Sequence, residues 1–302
     1  FSDDIASVVR EATVLFICVG TPQASDGQAD LSQVEGVVLE IAPHLNGYRI
    51  IAERSTVPVT TAAWIKRTLA LHTNGAAEFD VVSNPEFLRE GNAVSDFLNP
   101  DRIVLGVDSK RAWDLLEPIY DVFQRPIVST DLNSAEMIKY ASNAFLATRI
   151  SFINMMSDLC EATGADIMRV ADAMGLDPRI GPHYLDAGLG YGGSCLPKDV
   201  TALIHVANQR GVDFSLLEDV KRVNESRSES LVNRTRRALG SLEGKQIGVL
   251  GLSFKPGTDD IRDSPSLKAV EVLSRTGAAL RLHDPVAIEW ARKYNPQAPW
   301  RL

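Results

Sequence analysis

Three cysteines in 302 residues, Cys18, Cys160 and Cys195, stand far apart with no CxxC pair among them. So sparse and odd a set builds no disulfide framework and suits a reducing compartment, so the cytoplasm is the expected location. Long apolar runs are missing as well. Val14–Val19, the longest candidate, is strand-sized and far short of the ~18 residues that span a bilayer. No segment reads as a secretory leader, and no membrane partner is expected. A surplus of positive charge is also absent. The net charge of −8 argues against nucleic acid or an anionic membrane surface, but leaves room for a small anionic ligand, which needs only a few local cations. His44, His72, His183, His205 and His283 lack metal-ligand spacing, so no metal is expected. Of these, His183 alone lies near a glycine-rich stretch. There is no repeat and no low-complexity segment, and the opening Phe-Ser-Asp-Asp lacks an initiator methionine.

The length predicts roughly two domains. Ala12–Val19 reads as a strand buried on both faces, the parallel-sheet type, with Gly20-Thr-Pro at its carboxyl end. A helical pattern follows through Leu31, Val34, Val37, Val38 and Ile41, ending near Pro43. Tyr48–Ala52 is the next strand, and Arg54-Ser-Thr-Val-Pro58 leads into a helix reaching about Leu71. Phe79–Val82 is a third strand, from whose end hangs Asn84-Pro-Glu-Phe-Leu-Arg-Glu-Gly91. Further strands at Arg102–Val107 and Pro126–Ser129 flank a helix near Arg111–Val122. This alternation predicts an α/β doubly wound parallel sheet, with ligands at the carboxyl ends of its strands.

From Asp131 the spacing becomes that of one long helix, reaching about Thr163. At roughly 30 residues it would be about 45 Å long, enough to bridge domains or form a dimer interface. Helices follow near Asp166–Met174, Asp199–Gln209 and Ser215–Ala238. A second α/β domain opens near residue 243, with strands at Ile247–Leu250 and Ala279–His283. Between them Ser264 is a helix cap with Pro265 at the first position.

Gly188-Leu-Gly-Tyr-Gly-Gly-Ser-Cys-Leu-Pro-Lys-Asp199 is the stretch richest in chemical meaning. Its glycines permit positive φ and close approach of a ligand to the main chain. Lys198 and Asp199 set a cation and an anion beside Cys195, where a cation favours the reactive thiolate. An inert, buried cysteine in a tight loop fits the same residues. Lys139 and Asn143, four apart, share a helix face; they suit oxyanion stabilisation if buried, or are ordinary surface residues. Glu86 and Glu90 bracket Arg89, as acids also do in the first turn of a helix. Lys255 and Arg262 flank a Pro-Gly-Thr-Asp-Asp turn that reads as a phosphate loop or a mixed-charge surface loop. Gly248 and Gly251 do not have GxGxxG spacing.

Together these motifs resemble the UDP-glucose/GDP-mannose dehydrogenase family. In chain order they are Val19-Gly-Thr-Pro, Arg54-Ser-Thr-Val-Pro-Val, Asn84-Pro-Glu-Phe-Leu-Arg-Glu-Gly, Lys139 with Asn143-Ala-Phe-Leu-Ala, the Gly190–Asp199 cysteine loop, and Gly251-Leu-Ser-Phe-Lys-Pro-Gly-Thr-Asp-Asp-Ile-Arg. Asn84–Gly91 and Asn99-Pro-Asp-Arg are most similar to the nucleotide-diphosphate-glucose branch. The resemblance implies a partial Rossmann-like NAD-binding domain over 1–130, a central helical dimerisation region over 131–242, and a partial nucleotide-sugar domain over 243–302. It implies oxidation of a sugar C6 alcohol to the acid with NAD as cofactor, through sulfur adducts on Cys195. Lys139 and Asn143 would then stabilise oxyanions, Asp199 with Thr56 and a held water would be the base, and Glu86 would activate the hydrolytic water. Thr21, Thr56, Glu86, Lys198 and Arg262 would face NAD. Phe87, Leu88, Arg89, Glu90, Tyr184, Leu185, Asp186, Ala187, Gly188, Gly192 and Lys255 would hold the nucleotide sugar, with Lys139 and Asn143. Arg179 would reach the site of a second subunit in a homodimer.

The chain also departs from the family pattern. The GxGxxG unit is missing before Phe1, and the last α/β domain stops early, so the chain reads as a fragment of a longer one. Arg54 stands where lysine is usual, Thr60 where glycine is usual, and Leu196 where phenylalanine is common. Two other readings stay open: a dimeric core that binds nucleotide sugar without NAD, and an alcohol dehydrogenase that stops at the aldehyde.

Overall fold

A computed structural model describes residues 2–73 and 77–294. The chain forms two compact units, Phe1–Ser142 and Asn143–Leu302. The first unit runs α1 (Ile5–Glu11), β1 (Val14–Ile17), α2 (Ser32–Ile41), a 3-10 turn at Ala42–His44, β2 (Tyr48–Glu53), α3 (Thr61–His72), β3 (Glu78–Ser83), α4 (Ala93–Leu98), β4 (Ile103–Gly106), α5 (Lys110–Asp121) and β5 (Ile127–Thr130). α6 (Leu132–Thr163) begins in this unit and continues past its boundary.

The five strands lie in chain order, and period-2 alternation divides their side chains between two cores. Ile51 and Val81 pack with Val34, Val38, Ile65 and Leu69 of α2 and α3 on one face. Ile50, Ala52 and Val82 pack with Leu105, Ala112, Leu116 and Tyr120 on the other. Both faces are thus covered, as a doubly wound sheet requires.

Two expectations need correction. β3 and β4 pair antiparallel, Ser83 against Gly106, while the other pairs are parallel. A parallel return needs a crossover, usually a helix that travels back along the sheet. The connection from Ser83 to Ile103 carries only the six-residue α4, about 9 Å of helix, and β4 returns antiparallel beside β3. β1 is not buried on both faces either. It pairs with β2 alone among the described strands, and Phe16 is 42% exposed.

The second unit contains the rest of α6, then α7 (Ile167–Gly175), α8 (Leu196–Gln209), α9 (Ser215–Leu239), β6 (Gln246–Leu250), α10 (Pro265–Ser274), β7 (Ala279–His283) and α11 (Ile288–Tyr294). β6 and β7 pair in parallel across α10. The α10 cap is as expected: Ser264 Oγ accepts the Leu267 N–H, and Pro265 holds the first position. β6 is apolar over the expected Ile247–Leu250, but only one of its faces is covered. Ile247 and Val249 pack with Val270, Leu273, Leu280 and Leu282, while Leu250 is exposed. No described helix is long and apolar enough to cross a membrane.

Candidate active site

In the first unit, three loops leave the carboxyl ends of the parallel strands β1, β2 and β3. Thr21, buried, donates its Oγ1–H to the Thr56 carbonyl at 2.7 Å. The Ser55 hydroxyl accepts the Val19 N–H at 3.1 Å, so the first two loops are stitched to each other. Arg54 reaches the third loop and donates to Asn84 Oδ1 at 2.8 Å. Asn84 is buried, donates to the Val104 carbonyl at 2.9 Å, and also accepts from Tyr120 OH. Arg54 therefore performs a structural task in the position where a lysine is usual.

Lys139 is 4% exposed, which excludes the solvated-lysine reading. Its Nζ donates to Glu86 Oε1 at 3.1 Å, and Glu86 Oε2 accepts the Leu88 N–H. A buried cation needs such a partner to offset desolvation. Phe87 lies 5.4 Å from Lys139 Nζ and 3.8 Å from the Arg102 guanidinium carbon, both measured to its ring centroid. Residues 84–89 are irregular, not the first turn of a helix. Arg89 grips Asp96 through its backbone N–H and both arms of its guanidinium, at 2.8, 3.0 and 2.6 Å. That guanidinium holds the Asp96 carboxyl down at about 2.

In the second unit, Cys195 is exposed and occupies the N-cap position of α8 without a side-chain capping bond. The buried, inert cysteine is Cys160 instead. Ser194 Oγ lies 3.6 Å from the Cys195 sulfur. One turn on, Asp199 is 1% exposed, accepting from Lys198 Nζ at 2.7 Å and from Asn143 Nδ2 at 2.6 Å. Lys198 is thus ion-paired with Asp199. Asn143 is buried too, so it is not a surface residue. The positive end of α8 favours negative charge developing at its first turn.

The loop glycines mostly serve the protein itself. A Cβ on Gly190 would sit 2.3 Å from Asn224 Oδ1, on Gly192 2.4 Å from the Asp263 carbonyl, and on Gly193 2.7 Å from the Phe254 ring. Only Gly188 of those singled out has open space where a ligand could approach. The Gly193 N–H donates to the Arg262 carbonyl at 2.9 Å, which joins the cysteine loop to the segment between β6 and α10. Lys255 Nζ lies 5.6 Å from the centroid of the Phe254 ring, and Phe254 packs under Gly193, so Lys255 belongs to the same neighbourhood. Arg262 holds Asp260 with its Nε and Nη2. Arg179, exposed, holds Asp177. Tyr184 has φ 62, Leu185 is buried, and the Gly188 N–H donates to Asn154 Oδ1 at 2.7 Å.

Sequence reasoning missed Asn154, Asn224 and Arg227, which hold residues 188–191. Asn224 both accepts from and donates to the Tyr191 backbone, at 2.8 and 3.0 Å. Arg227, buried, pairs with Asp158 at 2.7 Å. Polar residues at ordinary helical positions gave no sign of this. Glu53 was also missed: it is 1% exposed at the end of β2, where burial pushes its carboxyl up to about 8. Cys18, although exposed, is also raised, by partial desolvation, against the pull of Arg54.

Three family models match in chain order: the NAD binding domain of the UDP-glucose/GDP-mannose dehydrogenase family over residues 1–124, its central domain over 133–226, and its UDP binding domain over 248–299. UDP-glucose 6-dehydrogenase TuaD of Bacillus subtilis is 46% identical over 95% of this chain, which spans 62% of that protein. The UDP-glucose 6-dehydrogenase of Rhizobium meliloti is 46% identical over 97% of this chain, which spans 68% of it. The structure of a UDP-glucose dehydrogenase from Pyrobaculum islandicum superposes with a TM-score of 0.96 at 40% identity, covering 100% of this chain and 71% of that one. Motif order, the α/β architecture and these likenesses agree: the chain belongs to the UDP-glucose/GDP-mannose dehydrogenase family.

Proposed function

We propose that the protein oxidises the C6 alcohol of a nucleotide-diphosphate sugar, UDP-glucose foremost, to the uronate with NAD as oxidant. The observation that carries this is Cys195, an accessible thiol at the start of α8, one turn before a buried Asp199 held by Asn143 and Lys198. Cys195 adds its sulfur to the C6 aldehyde as a thiohemiacetal, which keeps the aldehyde from escaping and makes it oxidisable again. The resulting thioester loses the acid when water attacks, and the sulfur leaves as thiolate. Lys139 and Asn143 donate to the oxyanions. Asp199 with Thr56 handles the proton of the alcohol, and Glu86 that of the hydrolytic water.

NAD, when bound, accepts one hydride in each of the two oxidations. The residues present fit that cofactor. Thr21 and Thr56 are hydrogen-bonded at the carboxyl ends of adjacent parallel strands, and Glu86 follows the third, where α/β sheets bind their ligands. Lys198 and Arg262 are assigned to the same cofactor. The nucleotide sugar is assigned to Phe87–Glu90, Tyr184–Gly188, Gly192 and Lys255. The assignment by region remains 1–130 for NAD, 131–242 for the centre, and 243–302 for the nucleotide. A thiol that works as a nucleophile suits the cytoplasm.

We also propose a homodimer built on α6. Phe145, Phe152, Met155 and Leu159 recur at seven, three and four residues along it, and all four are exposed. Such a stripe on a long helix suits a second copy, and Arg179 would serve the neighbouring subunit's site.

The test is stoichiometry in the intact protein: two NADH and one uronate per UDP-glucose. One NADH with free aldehyde would establish a single-step alcohol dehydrogenase instead. Sugar binding without NAD binding would leave the non-catalytic core. Cys195→Ser should keep sugar affinity and lose turnover.

A further inference from the structure

Two acids that this chemistry does not use lie at opposite ends of the loop that carries Thr56. Glu53 Oε1 accepts the Ser55 N–H at 2.7 Å where the loop leaves β2. Glu136, early in α6 and 2% exposed, accepts the Thr60 N–H at 2.6 Å on Oε2 and the Ala62 N–H at 2.7 Å on Oε1, where the loop enters α3. Burial is costly for such a group and pushes Glu136 up to about 7 against the pull of these N–H donors. A carboxyl kept in so unfavourable a place must be doing something for the backbone it grips.

The need for it is visible in the loop. The first N–H groups of a helix lack intrahelical acceptors, and the Thr60 side chain makes no capping bond to α3. Thr60 is in the left-handed region, φ 85, which is costly for a β-branched residue. Glu136 supplies from a distance the acceptor that an ordinary cap residue would supply locally. Its bond to the Thr60 N–H also ties down the residue most inclined to relax. Upstream, the same loop places the Thr56 carbonyl against Thr21 Oγ1. Slack at Thr60 therefore reaches the pair assigned to the cofactor.

We infer that Glu136 is a positioning residue for NAD: its paired hydrogen bonds to Thr60 and Ala62 hold the Arg54–Thr60 loop in the shape that binds the cofactor. This rests on the reading of Thr21 and Thr56 as cofactor contacts given above.

The test uses the intact protein, with NAD⁺ affinity titrated directly and both KM values measured. Glu136→Gln turns an amide NH2 toward one of the two N–H donors. It should weaken NAD⁺ binding and raise its KM about tenfold or more, the scale of losing a charge-assisted hydrogen bond, with KM for UDP-glucose changed by less than about twofold. Adding Thr60→Gly should recover much of the loss, because glycine adopts the left-handed conformation without restraint. Unchanged NAD⁺ affinity in Glu136→Gln overturns the inference. So does a fall in kcat and stability with no split between the two KM values, the signature of a merely structural acid. Should Glu136→Gln not fold, amide exchange in the wild type decides: the Thr60 and Ala62 N–H groups must be protected, and exchange at the rate of free amides overturns the clamp. A wild type that binds no NAD⁺ overturns the functional reading along with this one. A wild type that binds NAD⁺ as well as the variant does overturns only the role of Glu136.

Discussion

Asp284→Asn offers a direct test of how the second unit holds its loops. Asp284 follows β7 and is 5% exposed. Its Oδ2 accepts the N–H groups of Leu252 at 2.7 Å and Ser253 at 3.3 Å; Oδ1 accepts those of Val286 at 2.8 Å and Ala287 at 2.7 Å. One carboxylate thus ties the turn after β7 to the segment that leads from β6 to Phe254 and Lys255. Burial by itself would raise its pKa, but these four donors outweigh it and bring it down to about 2 from 3.8. That depression corresponds to about 2–3 kcal/mol. The folded-state value lies below the unfolded one, so this stability is fully present above pH ~4 and is lost as pH falls from there through ~2. Asparagine cannot be ionised, and its NH2 must face at least one backbone N–H. Urea unfolding of the intact protein at pH 7 should show the variant less stable by about 2–3 kcal/mol, and the gap should narrow between pH 4 and 3. KM for UDP-glucose should rise as Lys255 loses its support. A deficit under ~0.5 kcal/mol at pH 7, or one that is the same at pH 7 and pH 3, refutes the reasoning.

Gly193→Ala should lose about 2–4 kcal/mol and most turnover, because φ 82 disfavours any side chain and its Cβ would stand 2.7 Å from the Phe254 ring; an unchanged thermal midpoint contradicts this. Glu53→Gln should stabilise the protein at pH 9 by on the order of 4–5 kcal/mol, while the Ser55 N–H keeps an amide oxygen. The folded-state pKa of Glu53 is raised to about 8, so wild-type stability is highest below its unfolded value and falls as pH rises through ~8. The variant's advantage should therefore disappear by pH 5 in paired melting curves. Phe152→Asp puts a charge in the apolar stripe of α6 and should shift the sedimenting species from dimer to monomer at micromolar concentration; an unmoved distribution places the interface elsewhere.

The long elements were legible because periodicity accumulates over several turns, as in α6, α8 and α9. Helices α1, α4 and α11 have six or seven residues each, too few for a stripe to show. The reversal at β4 was hidden because strand direction depends on how far a connection travels, which composition does not reveal. Cys195, Lys139 and Asn143 were legible through the motifs around them. Glu53, Glu136, Asn154 and Asn224 were not: these residue types usually face solvent, and nothing nearby marks them as buried. The glycines of the cysteine loop were found for the wrong reason. Close approach does explain Gly190, Gly192 and Gly193, but the groups that approach are Asn224, Asp263 and Phe254 of the same chain.

Three of the four buried carboxyls among the described residues show what decides the charge of an acid inside this protein. Asp284, with four backbone N–H donors, lies at about 2; Glu136, gripping the start of α3, at about 7; and Glu53, with the Ser55 N–H on one oxygen and Oε2 unpartnered, at about 8. The first cause in each case is the same, desolvation, so the order follows how fully the backbone repays it. Each acid accepts N–H groups where a loop meets a strand or helix, where such groups lack partners from regular structure. The apolar cores fix the strands and helices and hold Val57 and Leu252 of the loops that carry the chemistry, but the polar backbone of those loops must be met otherwise. Their shape depends on a carboxyl or amide reaching from a neighbouring element. Glu53 and Glu136 do this for the Thr56 loop, Asn154 and Asn224 for the cysteine loop, and Asp284 for the Lys255 loop. Substitutions at these positions should therefore disturb ligand affinity through the loops as well as stability.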